Sequence, residues 1–87
     1  MAEPKRILVV ALGHRVEALR VAVGLTLADA PLQVVVWGEP PDDERAREHV
    51  EALAFGDVPL AVLPPGPQSS WDELARRILD SDVVYCV

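Results

Sequence analysis

The chain has 87 residues, enough for one domain, and a composition of 51% hydrophobic and 25% charged residues that excludes a disordered polymer. A net charge of -6 disfavours nucleic acid and anionic membrane as direct partners, because both require clustered Lys and Arg. A single Cys excludes an internal disulfide framework and a cysteine-based zinc site.

The chain is organised around residues 6–30. Arg6 to Leu12 reads as the first strand, whose apolar, β-branched-rich run Ile7 to Leu12 is expected to be buried on both faces. Gly13-His14 forms a turn, and Arg15 to Ala28 follows helical spacing. This is the first half of a βαβ unit. Val16, Leu19, Val21, Ala22, Val23, Leu25 and Leu27 cover most of the helix circumference, so a second surface is expected to cover it.

Pro31 ends that helix after Asp29-Ala30. Leu32 to Trp37 is the second strand, with Val34-Val35-Val36 at its centre. After the loop Gly38-Glu-Pro-Pro41, Asp42-Asp43-Glu44 opens helix two, either Asp serving as N-cap. Ala46, Val50 and Leu53 form its apolar stripe, His49 reads as solvated, and Gly56 fits the C-terminal cap. Val58 to Leu63 is strand three, and Pro64 to Ser70 is a stiff loop. Ser70-Trp-Asp-Glu73 matches a capping box, and Trp71, Leu74, Ala75, Ile78 and Leu79 follow amphipathic spacing. Asp80-Ser-Asp82 ends the helix, and Val83 to Val87 is strand four.

Residues 1–87 thus form a single β-α-β-α-β-α-β domain: a three-layer α/β fold on a four-stranded, mainly parallel sheet. A flavodoxin-like strand order, 2-1-3-4, is the simplest doubly wound arrangement. Ligands in such folds bind beyond the carboxyl ends of the strands, where the order reverses. That crevice, between strands one and three, would be lined by Gly13, His14, Arg15, Gln68, Ser69 and Ser70. Helix N-termini, an arginine and hydroxyls suit a small anion or a nucleotide-like ligand there. The alternative is that these residues only turn, cap and solvate. Neither Gly-x-Gly-x-x-Gly nor a P-loop is present, so no nucleotide cofactor is expected. Asp42-Asp43-Glu44 reads as helix capping, since adjacent helical residues diverge, and no metal is expected.

Trp37 and Trp71 read as packing residues. Cys86, on a terminal apolar strand, reads as buried and inert, and is the weak candidate for catalysis. The N-terminus shows no signal-peptide pattern and no run is long enough to span a bilayer, so the expected location is cytoplasmic.

Arg6-Ile-Leu-Val-Val-Ala-Leu-Gly13, Glu17 to Ala28, Leu32 to Glu39 and Leu74 to Val84 together resemble the DsrE/DsrF-like sulfur-relay proteins. The resemblance covers most of the chain through generic apolar motifs. It implies a small α/β subunit that assembles into trimers or hexamers, with itself or with related subunits. Catalytic members carry a persulfide-forming cysteine in the loop after the third strand. The corresponding stretch here, Pro59 to Gly66, has none. The implied role is a non-catalytic accessory or assembly subunit, rather than an enzyme.

Overall fold

The computed structural model describes residues 5–27, 30–38 and 42–87. Strands β1 (Ile7–Ala11), β2 (Leu32–Trp37), β3 (Leu60–Leu63) and β4 (Val83–Cys86) alternate with helices α1 (Arg15–Leu25), α2 (Glu44–Phe55) and α3 (Gln68–Leu79). The sheet is parallel throughout, so the expected α/β class and element order hold. α1 ends at Leu25, short of the expected Ala28, with Thr26 as its C-cap, and residues 28–29 and 39–41 lie outside the described residues.

The strand order is β3-β2-β1-β4, not the expected 2-1-3-4. β1 and β2 are the central strands. Leu8 to Ala11 and Val34 to Val36 are each at most 1% exposed, as a run buried on both faces requires. β3 is an edge strand. Pro59 and Pro64-Pro65 flank it and limit its length, which suits an edge. The chain builds outward from β1 to β3, then crosses back through α3 to place β4 on the far side of β1. The reversal therefore falls between β1 and β4.

The two sheet faces bury separate clusters. Val9, Ala11, Val34 and Val36 meet Ala18, Leu19 and Ala22 of α1 and Ala46 and Leu53 of α2. Leu8, Val10 and Val35 meet Leu74 of α3. Helices on both faces give the three layers. The surface expected over α1 is partly supplied by α2, through Ala46 and Leu53. Val21 and Leu25 are half-buried and Leu27 is exposed. Burying one large aliphatic side chain stabilises by about 1.5–3 kcal/mol.

Capping was only partly legible. Asp43 is the N-cap of α2, its Oδ1 accepting from Ala46 N at 2.7 Å. Gly56 occupies the C-cap, but the left-handed residue is the next one, Asp57, with φ 57°. Within the α2 stripe Ala46 and Leu53 are buried, Val50 is 38% exposed, and His49 is half-buried instead of solvated. The Ser70–Glu73 capping box does not form. α3 starts earlier, with Pro67 as N-cap, so Ser70 is buried inside the first turn. Glu73 instead binds Arg76 and Arg77.

Candidate functional site

The carboxyl edge of the sheet is built around Trp37, the last residue of β2. From one side, Arg15 at the start of α1 donates to the Trp37 carbonyl oxygen from Nε at 3.2 Å and Nη2 at 2.9 Å. On the α3 side, the ring of Trp71 lies against the Trp37 ring, with centroids 4.5 Å apart and planes tilted by 53°. Tilted aromatic pairs of this spacing are favourable because the electron-poor edge of one ring meets the face of the other. Gly38 follows with φ +94°, and a Cβ there would lie 2.8 Å from Arg15 Nη2. Only glycine combines that conformation with room for the guanidinium.

The six residues expected to line one crevice are thus only partly brought together. β1 and β3 are not neighbours, since β2 separates them. The two loops instead approach Trp37 from opposite sides. Gly13 N and Leu12 N donate to the carbonyl oxygen of Val87, at 3.1 and 2.9 Å, which closes the turn over the end of β4. His14 is exposed at the N-cap position of α1 and makes no side-chain cap bond. Two of Arg15's three guanidinium nitrogens serve the backbone of β2, so its sequence-level role as an anion contact gives way to a structural one. Gln68 and Ser69 are exposed, with Gln68 Nε2 donating to Asp72 Oδ1 at 3.2 Å, while Ser70 is only 4% exposed.

Cys86 is exposed, contrary to the expectation of burial. It sits on the outer strand of the described sheet, beyond Val84, which still packs against the Leu74 cluster. A sulfur nucleophile needs a base or cation beside it. Among the described residues no hydrogen bond joins Cys86 to His14, His49 or an arginine.

The resolved electrostatic shifts belong to helix surfaces. Hydrogen bonding from Arg77, followed by the nearby charges of Arg76 and Arg77, holds the Glu73 carboxyl below its ordinary value. Glu17 is lowered chiefly by its hydrogen bond from Arg20, whose own pKa is raised in return. Arg77 Nη1 also reaches Gln33 Oε1 at 2.9 Å, tying α3 to β2. No group of His, Cys, Asp and Glu among the described residues is arranged to hold a metal ion.

Three concavities among the described residues lie away from this edge. Two open at the amino ends of the strands, one lined by Arg6, Ile7, Pro31, Leu32, Gln33 and Pro59, the other by residues of the α1 and α2 ends. A third, wide and open, runs along the outer side of α3. They are shallow surface depressions, and the polar chemistry of the carboxyl edge is not inside any of them. Sequence reasoning missed the part played by Gly38 and by the Trp37 carbonyl. A glycine directly after a strand was the available signal, while its contact with Arg15 is tertiary.

No family model matches the chain, and the comparison with curated proteins found no match. Among solved structures, protein Rv1636 from Mycobacterium tuberculosis H37Rv has a similar fold, with a TM-score of 0.53 at 14% identity over 99% of this chain and 73% of that one. At that identity the likeness is one of fold, and it agrees with the α/β architecture described above.

Proposed function

We propose that the chain is a non-catalytic assembly subunit, of the DsrE-like kind that its sequence resembles, with an accessory place in sulfur relay. The observation that supports this reading is the exposure of two side chains of β4 among the described residues. Tyr85 is 42% exposed on the α1 face and Cys86 is exposed on the α3 face. The helices pack chiefly over the central strands, with Val84 and Val87 at the margins of the two clusters. The absence of a cysteine from Pro59 to Gly66, and of any hydrogen-bonded base at Cys86 among the described residues, supports a role without sulfur chemistry of its own. The expected interface through α1 gives way here to the sheet edge, because α2 already covers part of α1.

Native mass spectrometry of the 87-residue chain tests the reading. A homo-oligomer without added mass is the expected result. A monomer at every concentration, or a gain of sulfur on Cys86, would contradict it.

A second reading is a site for a small anionic or nucleotide-like ligand at the carboxyl edge. It is favoured by Trp71, which is 52% exposed although its ring packs on Trp37, and by the exposed Gln68 and Ser69 beside it. Titration with inorganic phosphate, followed by tryptophan fluorescence, distinguishes it. A saturable change that Ser69→Ala weakens would support it.

A further inference from the structure

We propose that the cleft between the C-terminal ends of α1 and α2 docks a segment of another protein that presents an arginine between apolar side chains. This surface goes beyond the assembly reading and uses none of the β4 side chains that support it.

The topology brings the two helix ends together. In a parallel sheet each crossover helix runs back from the carboxyl ends of the strands. α1 and α2 pack on the same sheet face, so both end at its amino pole. Between them lies an open cleft of about 350 Å³. Among the described residues Thr26 and Pro31 line it on the α1 side, and Asp57, Val58 and Pro59 on the α2 side.

The donors of both helix exits are already used. Thr26 N donates to Val23 O at 3.2 Å and Leu27 N to Gly24 O at 3.3 Å, while Thr26 Oγ1 donates to Val23 O at 2.6 Å. Gly56 N, Asp57 N and Val58 N donate to the carbonyl oxygens of Ala52, Ala54 and Leu53. Pro31 and Pro59 have no N–H to give. These exits therefore offer a visitor acceptors: the Thr26 hydroxyl lone pairs, the Asp57 carboxylate and the last helical carbonyl groups.

The electrostatics point the same way. Each helix ends in the negative pole of its dipole, and here two such poles lie side by side. A basic residue in the last turn ordinarily eases that pole. α3 has Arg76 and Arg77 there, whereas α1 and α2 have none. No Lys or Arg occurs from Val21 to Glu44 or from Glu48 to Ala75. Asp57 makes no ion pair among the described residues, and Arg6, in the neighbouring concavity, is engaged by Asp80.

A cation that brings several donors and needs none in return fits this site, and that is the chemistry of a guanidinium. The same face of a second copy does not supply it, and two chains of net charge -6 repel. Leu27 and Phe55 extend the surface beyond the cleft. They follow Thr26 and precede Gly56, and they are 90% and 93% exposed. Large apolar side chains flanking an acceptor-lined centre are covered by a segment several residues long, not by a small ion.

The test uses a fluorescein-labelled peptide, Leu-Arg-Leu-Leu-Arg-Leu, titrated with the 87-residue chain and read by fluorescence anisotropy. Saturable binding is expected, and at least about tenfold weaker binding of the peptide with Glu in place of Arg. Asp57→Asn removes the charge yet keeps a residue that adopts φ 57° readily, so the fold should hold while binding falls about tenfold. Phe55→Ala should weaken binding to a similar degree. Glu44→Gln removes the same charge at the opposite end of α2 and should leave binding unchanged. Circular dichroism verifies the fold of each variant. No saturable binding, or equal losses in Asp57→Asn and Glu44→Gln, would overturn the site. Competition by arginine amide as strong as by the unlabelled peptide would overturn the docked segment. An oligomer that Phe55→Ala dissociates would assign the face to a second copy and overturn the separate partner.

Discussion

Arg15 and Trp37 are joined by two hydrogen bonds, from Nε at 3.2 Å and Nη2 at 2.9 Å to one backbone carbonyl oxygen. The pair locks the first turn of α1 to the end of β2, and Gly38 leaves the space in which it forms. Arg15→Ala removes these donors from a part-buried acceptor and should lower stability by about 1–3 kcal/mol in urea unfolding. Gly38→Ala adds a Cβ 2.8 Å from Nη2 at φ +94°, with a cost of about 1–3 kcal/mol. The double variant should cost less than the sum, because the steric part of the Gly38 penalty disappears with the guanidinium.

The contact between Trp37 and Trp71 predicts a spectroscopic signature. Two indoles at a centroid separation of 4.5 Å should give coupled near-ultraviolet dichroism. Trp71→Ala should abolish it and cost about 0.5–1.5 kcal/mol beyond the area uncovered. Unchanged dichroism in that variant would show that α3 does not hold its first turn against β2.

Glu73 links α3 to the sheet through Arg77 and Gln33. Its carboxyl is held below its ordinary pKa in the folded state, chiefly by the hydrogen bond from Arg77. Its contribution is therefore complete above the unfolded value of 4.5 and is lost as pH falls through the lower folded value. Glu73→Gln should be less stable than the native chain at neutral pH, and the two denaturation midpoints should converge in acid below pH 4.5. Added salt should narrow the gap at neutral pH.

Leu53 of α2 is 1% exposed, whereas Phe55, two residues on, is 93% exposed. Leu53→Ala should cost about 2–5 kcal/mol by leaving a cavity between α2, α1 and the sheet. Phe55→Ala should change stability by no more than about 0.5 kcal/mol. Thermal denaturation of both variants measures which face of α2 meets the core.

Local pattern by itself determined the alternation of strands and helices. Apolar period changes from continuous to helical at Gly13, and again after Trp37 and Leu63, and parallel strands need such crossovers. It also placed an N-cap at Asp42 or Asp43 at the start of α2, because a cap acts on amides only a few residues away, and the structure selects Asp43. Tertiary structure alone decided the strand order. A run such as Val34-Val35-Val36 states that both faces are covered, but not by which neighbour. The prolines around β3 shorten that strand but do not by themselves exclude an interior place, since Pro31 directly precedes the interior strand β2. Ser70 and Cys86 show the same division. Ser70 has the composition of a cap, yet α3 begins two residues earlier and buries it. Cys86 has the composition of a core strand, yet β4 falls on the rim of the sheet, where the helices packed over β1 and β2 leave it open. Burial at these positions depends on what crosses over from distant segments, and that is decided by packing the two faces of the sheet.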